Sequence, residues 1–153
     1  MQQGISFWLY GCIIEISYGL NNGEYSMQPR QGIVEIFSTF VQFDVDQFSG
    51  WVTDPKLRRS MKVCLERSST EKSDTFWAVY WYRVWQNESS AVTLAHISAY
   101  LQEVCYWTAR KFARNFSTQS SVADCFQIAI AHVSKILKTF NPQCNSHLKA
   151  MQN

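Results

Sequence analysis

Asp124 and Gln127 stand three residues apart in a stretch whose apolar residues Phe126, Ile130, Val133 and Leu137 step by four, three and four. That period puts the carboxylate and the amide one turn apart on a helix, away from its apolar face, with Ala131 and Ser134 continuing the stripe. A carboxylate and an amide held rigidly in this way can make directed hydrogen bonds to a partner helix. Asp124 has a plainer reading too, as a first-turn carboxylate favoured by the helix dipole. Upstream, Arg110, Lys111 and Arg114 make a basic cluster that suits phosphate, or equally a solvated helix surface. From residue 104 onward Asp124 is the sole acid, so this third of the chain is locally basic.

Catalytic chemistry is not expected. There is no glycine-rich phosphate loop, and none of the three histidines pairs with a cysteine or an acid at metal-ligand spacing. His96 and Cys105 fall nine residues apart on one expected helix, too far along its axis for a nucleophile and its base. Five cysteines, an odd number without a Cys-x-x-Cys pair, point to reduced thiols and a cytoplasmic setting. The glycosylation-type triplets at Asn87 and Asn115 then carry no meaning. No metal and no cofactor is expected. The apolar run from Ile5 to Leu20 is shorter than a membrane span needs and contains Glu15, so no membrane association is expected either.

The elements that must position these residues follow from periodicity and caps. Residues 1–26 contain no Lys or Arg and read as a variable or misassigned extension before Met27, with a short strand expected over Cys12–Tyr18 if they fold. A first helix is expected from Gly32, with Ile33, Ile36, Phe37, Phe40 and Val41 on one face. Asp54-Pro55 opens a second, with Leu57, Met61, Cys64 and Leu65 inward and Arg58, Arg59 and Lys62 outward. A third, Asp74 to Gln86, carries Trp77, Trp81 and Trp85 at four-residue spacing, which favours core over a stacking surface for bases. One long helix is expected from Ala91 to Phe116. The last, about Val122 to Thr139, starts at a Ser121/Asp124 capping box and ends before Asn141-Pro142.

With 153 residues, 46% hydrophobic and 15% aromatic, the chain is long enough for one domain and apolar enough to fold. The expectation is a single all-α domain of about five helices over residues 27–153, with N-terminal helices over 27–90 and a two-helix hairpin over 91–153. A net charge of +2 excludes no class of partner.

The order of residues in that hairpin is also informative. Tyr106-Trp107-Thr108-Ala109-Arg110-Lys111-Phe112-Ala113-Arg114-Asn115-Phe116, a polar turn, Asp124-Cys125-Phe126-Gln127, an apolar helix and Phe140-Asn141-Pro142 together resemble regions 2.1 and 2.2 of the sigma-70 family. Met27-Gln28-Pro29-Arg30-Gln31 through Phe43, Phe48-Ser49-Gly50-Trp51, Leu57 to Ser60 and Ser98 to Glu103 look like the front part of its alternative, cyanobacterial-type group-three members. The resemblance implies an antiparallel hairpin docking on the clamp coiled coil of the largest subunit of core RNA polymerase, through Asp124 and Gln127, with Ala131 and Ser134 on the same stripe. It also implies that Arg110, Lys111 and Arg114 run near nucleic acid. The chain ends before the regions that melt and read promoter DNA, so promoter contact is expected only through a part not present here. The pattern departs at Ile128 (Glu in the family), Ala129 (Gly), Asn145 (Gly) and Met151 (Tyr). The alternative function is a small helical interaction domain unrelated to transcription. An exposed Asp124 and Gln127 over a buried Phe126 would favour the first reading, and a buried Asp124 the second.

Overall fold

The computed structural model describes residues 27–115 and 120–139. The extension before Met27, the strand expected over Cys12–Tyr18, Phe116, Phe140 to Pro142, Asn145 and Met151 lie outside the described residues. Those described form α1 (Ile33–Ile36), β1 (Thr39–Asp44), β2 (Gln47–Thr53), α2 (Pro55–Arg67), α3 (Asp74–Asn87), α4 (Ala91–Tyr100), α5 (Gln102–Asn115) and α6 (Val122–Thr139). Of the described residues 67% are helical, but they also include a two-stranded antiparallel sheet, so the fold is mainly helical and not all-α.

Three helices begin where their side chains can satisfy the first free N–H groups. The Asp54 carboxylate accepts from the backbone N–H of Lys56 at 2.8 Å and of Leu57 at 3.3 Å, with Pro55 at the position where a missing N–H costs nothing. Ser73 accepts from Phe76 N–H at 3.1 Å and Ser90 from Thr93 N–H at 3.2 Å. From those starts α2 buries Leu57 and Met61, and α3 buries Trp77, Trp81 and Trp85. The Trp81 indole N–H donates to the Met61 sulfur at 3.4 Å, which joins the two stripes in one core.

The helix expected from Gly32 onward stops after a single turn. Residues 39–53 form a hairpin instead, paired Phe40 to Val52, Val41 to Trp51 and Phe43 to Phe48. Phe48 and Trp51 are three apart, so regular pleating would send them to opposite faces. The register shift beside Gln42 and Phe43 leaves Ser49 unpaired and turns both rings to one side, where they meet edge-on at 5.3 Å. Phe43 then packs against Tyr106 of α5 and Phe126 of α6. Val45 and Asp46 close the hairpin with positive φ angles of 43° and 63°, the backbone of a two-residue primed turn.

Arg30 explains why the chain turns there. Its side chain is only 2% exposed, and its Nη1 donates to the carbonyls of Ile36 at 2.8 Å and Ala99 at 2.7 Å. Weaker bonds run from Nη1 to Thr39 O and from Nη2 to Tyr100 O. Ile36 ends α1 and Tyr100 ends α4, so one guanidinium satisfies the free carbonyls of two helix ends. The long helix expected from Ala91 breaks at Leu101 into α4 and α5 for the same reason, since Arg30 takes carbonyls that the next turn would have used. Glu103 bonds Arg30 Nε at 3.1 Å, and the cation lies over the Trp51 ring at 4.4 Å. Burial lowers the Arg30 pKa, with Glu103 opposing that shift, and an arginine keeps its proton regardless.

A second buried polar group joins α2 to α4. His96, fully buried, donates from Nδ1 to the Phe37 carbonyl at 2.8 Å, because a carbonyl can only accept. Its Nε2 therefore accepts from the Ser60 hydroxyl at 2.9 Å, and its ring stacks on Trp81 at 4.1 Å. Burial lowers its pKa against the opposing effect of the Phe37 hydrogen bond and of Asp54.

Two outcomes follow from these buried groups. Arg30→Met leaves the Ile36 and Ala99 carbonyls without donors at about 1–3 kcal/mol each, so urea unfolding should show a loss of about 2–5 kcal/mol. Glu103→Gln should cost under about 1 kcal/mol, because Glu103 is 41% exposed. For His96 the folded pKa lies below the unfolded value of 6.5, so the unfolded chain binds more protons between the two. Its contribution is therefore complete above pH 6.5 and is lost as pH falls through the folded pKa. Thermal melts from neutral to mildly acidic pH should fall in Tm with a slope that His96→Gln reduces.

Candidate functional site

Helices α5 and α6 pack against each other more extensively than any other pair of helices. α6 turns Cys125, Phe126, Ala129 and Val133 inward, while α5 buries Gln102, Cys105, Tyr106, Thr108 and Ala109. Gln102 also reaches the sheet, where its side-chain oxygen accepts from Val41 N–H at 2.9 Å. The hairpin and α5 together form the bed on which α6 lies.

On the opposite side of α6, Asp124, Gln127 and Ala131 are exposed and Ser134 is half-buried. These four, expected to share a stripe, do share one, with Ile128 exposed among them at 37%. Ala129, by contrast, is 1% exposed and belongs to the packed side. The cations named with the site sit on the other helix of the pair. Arg110 is half-buried with its guanidinium over the Trp107 ring at 5.5 Å, and Lys111 and Arg114 are exposed.

The start of α6 is held from a distance. Asp46, in the hairpin turn, accepts from the backbone N–H groups of Val122 at 3.1 Å and Ala123 at 2.8 Å. Ser121 accepts from Asp124 N–H at 3.1 Å, as its capping role requires. Two side chains thus satisfy the first three N–H groups of the helix, and the Asp46 carboxylate faces the positive end of its dipole. With its backbone N–H committed to Ser121, Asp124 keeps its carboxylate at the surface. Asp46 gave no sign of this role in the sequence, because a cap supplied 76 residues away has no local pattern.

Other groups with chemical potential are occupied by structure. The Ser60–His96 pair has the spacing of a nucleophile and its base, but the imidazole is fully buried and its pKa is lowered. Ser60 lies mid-helix, where neighbouring N–H groups already serve the helix and cannot form an oxyanion hole. Among the described residues Cys64, Cys105 and Cys125 form no disulfide, and burial raises the pKa of Cys64 and Cys125, which disfavours the nucleophilic thiolate. His132 is half-buried on α6 and donates from Nδ1 to the Ile128 carbonyl at 2.7 Å. Among the described residues no three His, Cys, Asp or Glu side chains are grouped to hold a metal ion, and no described helix is long and apolar enough to cross a membrane.

The distant cap can be tested directly. Asp46→Ala should cost about 1 kcal/mol and should speed hydrogen exchange at the Val122 and Ala123 amides while leaving the amides of α2 protected. No family model matches the chain, and no curated protein or solved structure is significantly similar to it.

Proposed function

We propose that the chain is a binding protein that docks through the exposed face of α6, and that its partner is the clamp coiled coil of core RNA polymerase. The observation that carries this reading is the exposure of Asp124 and Gln127 on a helix whose other side, including Phe126, is buried. A helix fixed on one side by packing and at its start by Asp46 presents these groups from a backbone that is already ordered, which favours directed contacts. In this reading α5 and α6 form the hairpin of regions 2.1 and 2.2 of a sigma-like transcription protein or fragment. It acts in the cytoplasm and without catalysis. Arg110, Lys111 and Arg114 on α5 are the side chains proposed to run near nucleic acid.

The departures from the sigma pattern fall on both sides of α6. Ala129 stands for a glycine on the packed side, where a methyl group adds to the core and leaves the docking face untouched. Ile128 stands for a glutamate on the exposed side and removes a charge from that face. This exposed isoleucine also favours the second reading, a helical interaction domain unrelated to transcription, because an apolar anchor flanked by polar groups suits many partner helices.

Binding of the whole chain to core polymerase and to the isolated clamp coiled coil decides between them. Micromolar or tighter affinity is expected, weakened about tenfold by Asp124→Ala, since a hydrogen bond to a charged group contributes about 1.5–3 kcal/mol. Gln127→Ala should weaken it less. No binding by a well-folded chain would overturn the polymerase reading and leave the second.

A further inference from the structure

Helix α2 carries five cations, Lys56, Arg58, Arg59, Lys62 and Arg67, against one acid, Glu66, and all six are exposed. Arg58, Arg59 and Lys62 sit at three- and four-residue spacing, so like charges are neighbours on the helix surface. Lys56, Arg58 and Arg59 also crowd toward the start of α2, where the positive end of the dipole disfavours cations. The first turn of the helix holds no acid. The carboxylate just ahead, Asp54, is committed to the N–H groups of Lys56 and Leu57. Among the described residues the side chains of Lys56, Arg58, Arg59 and Lys62 make no ion pair or hydrogen bond. Glu66, one turn from Lys62, and Arg67, in the last turn, follow the usual preferences of a helix, but one acid against five cations leaves the repulsion among Arg58, Arg59 and Lys62 and at the helix start largely uncompensated.

The helix cannot relieve this by turning. Leu57 and Met61 are buried on its other side, and Ser60 is tied to His96 at 2.9 Å. The positive face is therefore fixed toward solvent, where an external anion would offset the repulsion. Its apolar content is slight, with Val63 the one large apolar side chain of α2 that is exposed. A protein partner needs an apolar centre to its interface, and a bilayer needs an apolar face to insert, so α2 suits neither. A phosphodiester backbone needs only charge. The 13 residues of α2 span about 20 Å at about 1.5 Å each, enough to meet several phosphates set about 3.4 Å apart along a strand.

We propose that α2 is a nucleic-acid-binding surface that holds the phosphodiester backbone without reading sequence, with Arg58, Arg59 and Lys62 at its centre. It is separate from the α6 face, so either can fail while the other stands. The test is fluorescence anisotropy of the whole chain with a short labelled duplex of arbitrary sequence and with its single strand, over a series of salt concentrations. The triple variant Arg58→Ala/Arg59→Ala/Lys62→Ala, checked for unchanged thermal unfolding, should bind at least about tenfold more weakly at low salt. The slope of log affinity against log salt should shrink by about 2–3, at about 0.9 for each phosphate that is no longer neutralised. Lys135→Ala, which removes one exposed cation from α6, should leave the affinity nearly unchanged. An unchanged slope in the triple variant overturns the proposal. So does tighter binding to polyglutamate, which would make the partner an acidic protein, or to anionic phospholipid vesicles, which would make it a membrane.

Discussion

A single guanidinium in the interior sets the path of the chain. Burying Arg30 is costly unless nearly every N–H finds an acceptor, and the acceptors it finds are the carbonyls left over where α1 and α4 end. The cost of the cation and the cost of the free carbonyls are met by the same hydrogen bonds. Once those bonds form, α1 cannot continue into the residues that become β1, and α4 cannot run straight into α5. The Trp51 ring over the cation and the Trp51 indole N–H donating to Gln28 O at 2.8 Å then draw the hairpin against the same point. Removing the charge therefore loosens the junction between the N-terminal half of the fold and the α5–α6 pair.

What could be read in the sequence depended on how local its cause is. The starts of α2 and α3, the inward face of each and the span of α6 follow from residues within a turn or two, and they stand where periodicity and caps put them. The hairpin did not announce itself. Its turn is Val45-Asp46, without the glycine or asparagine that usually signals a primed turn, and a β-branched residue at φ 43° is an unusual choice. Ile33, Ile36, Phe37, Phe40 and Val41 also match a helical period, although the last two serve a strand. The period of 2 is interrupted at Ser49 in β2, and in β1 it holds only over Val41 to Asp44, too short a run to stand out. The break at Leu101 was illegible for a different reason: its cause lies some 70 residues away, at Arg30.

The proposed docking stripe divides in the same way. That Asp124, Gln127 and Ala131 face outward was legible from the four-three-four spacing of the apolar residues alone. That Ser134 is half-buried, and that α6 is fixed at its first turn by Asp46, was not. The strain in the hairpin turn has its reason in the same place. The left-handed backbone at Val45 and Asp46 brings the Asp46 carboxylate to the start of α6, so the conformational cost of the turn is offset by two hydrogen bonds and by the helix dipole.

These constraints bear on what a partner would meet. A stripe of Asp124, Gln127 and Ala131 alone would offer only polar and small groups, whose hydrogen bonds to a partner replace those already made to water. Ile128 changes this, because it sits inside the stripe and gives it an apolar centre whose burial would drive association, with Asp124 and Gln127 left to fix register. A helix start held by two separate side chains keeps that centre and those polar groups in one geometry. A partner helix that places a small apolar residue over Ile128 and a donor opposite Asp124 would satisfy all three. On the proposed face, isoleucine in place of the sigma pattern's glutamate at 128 would exchange charge for burial and would shift the source of affinity from charged contact toward packing.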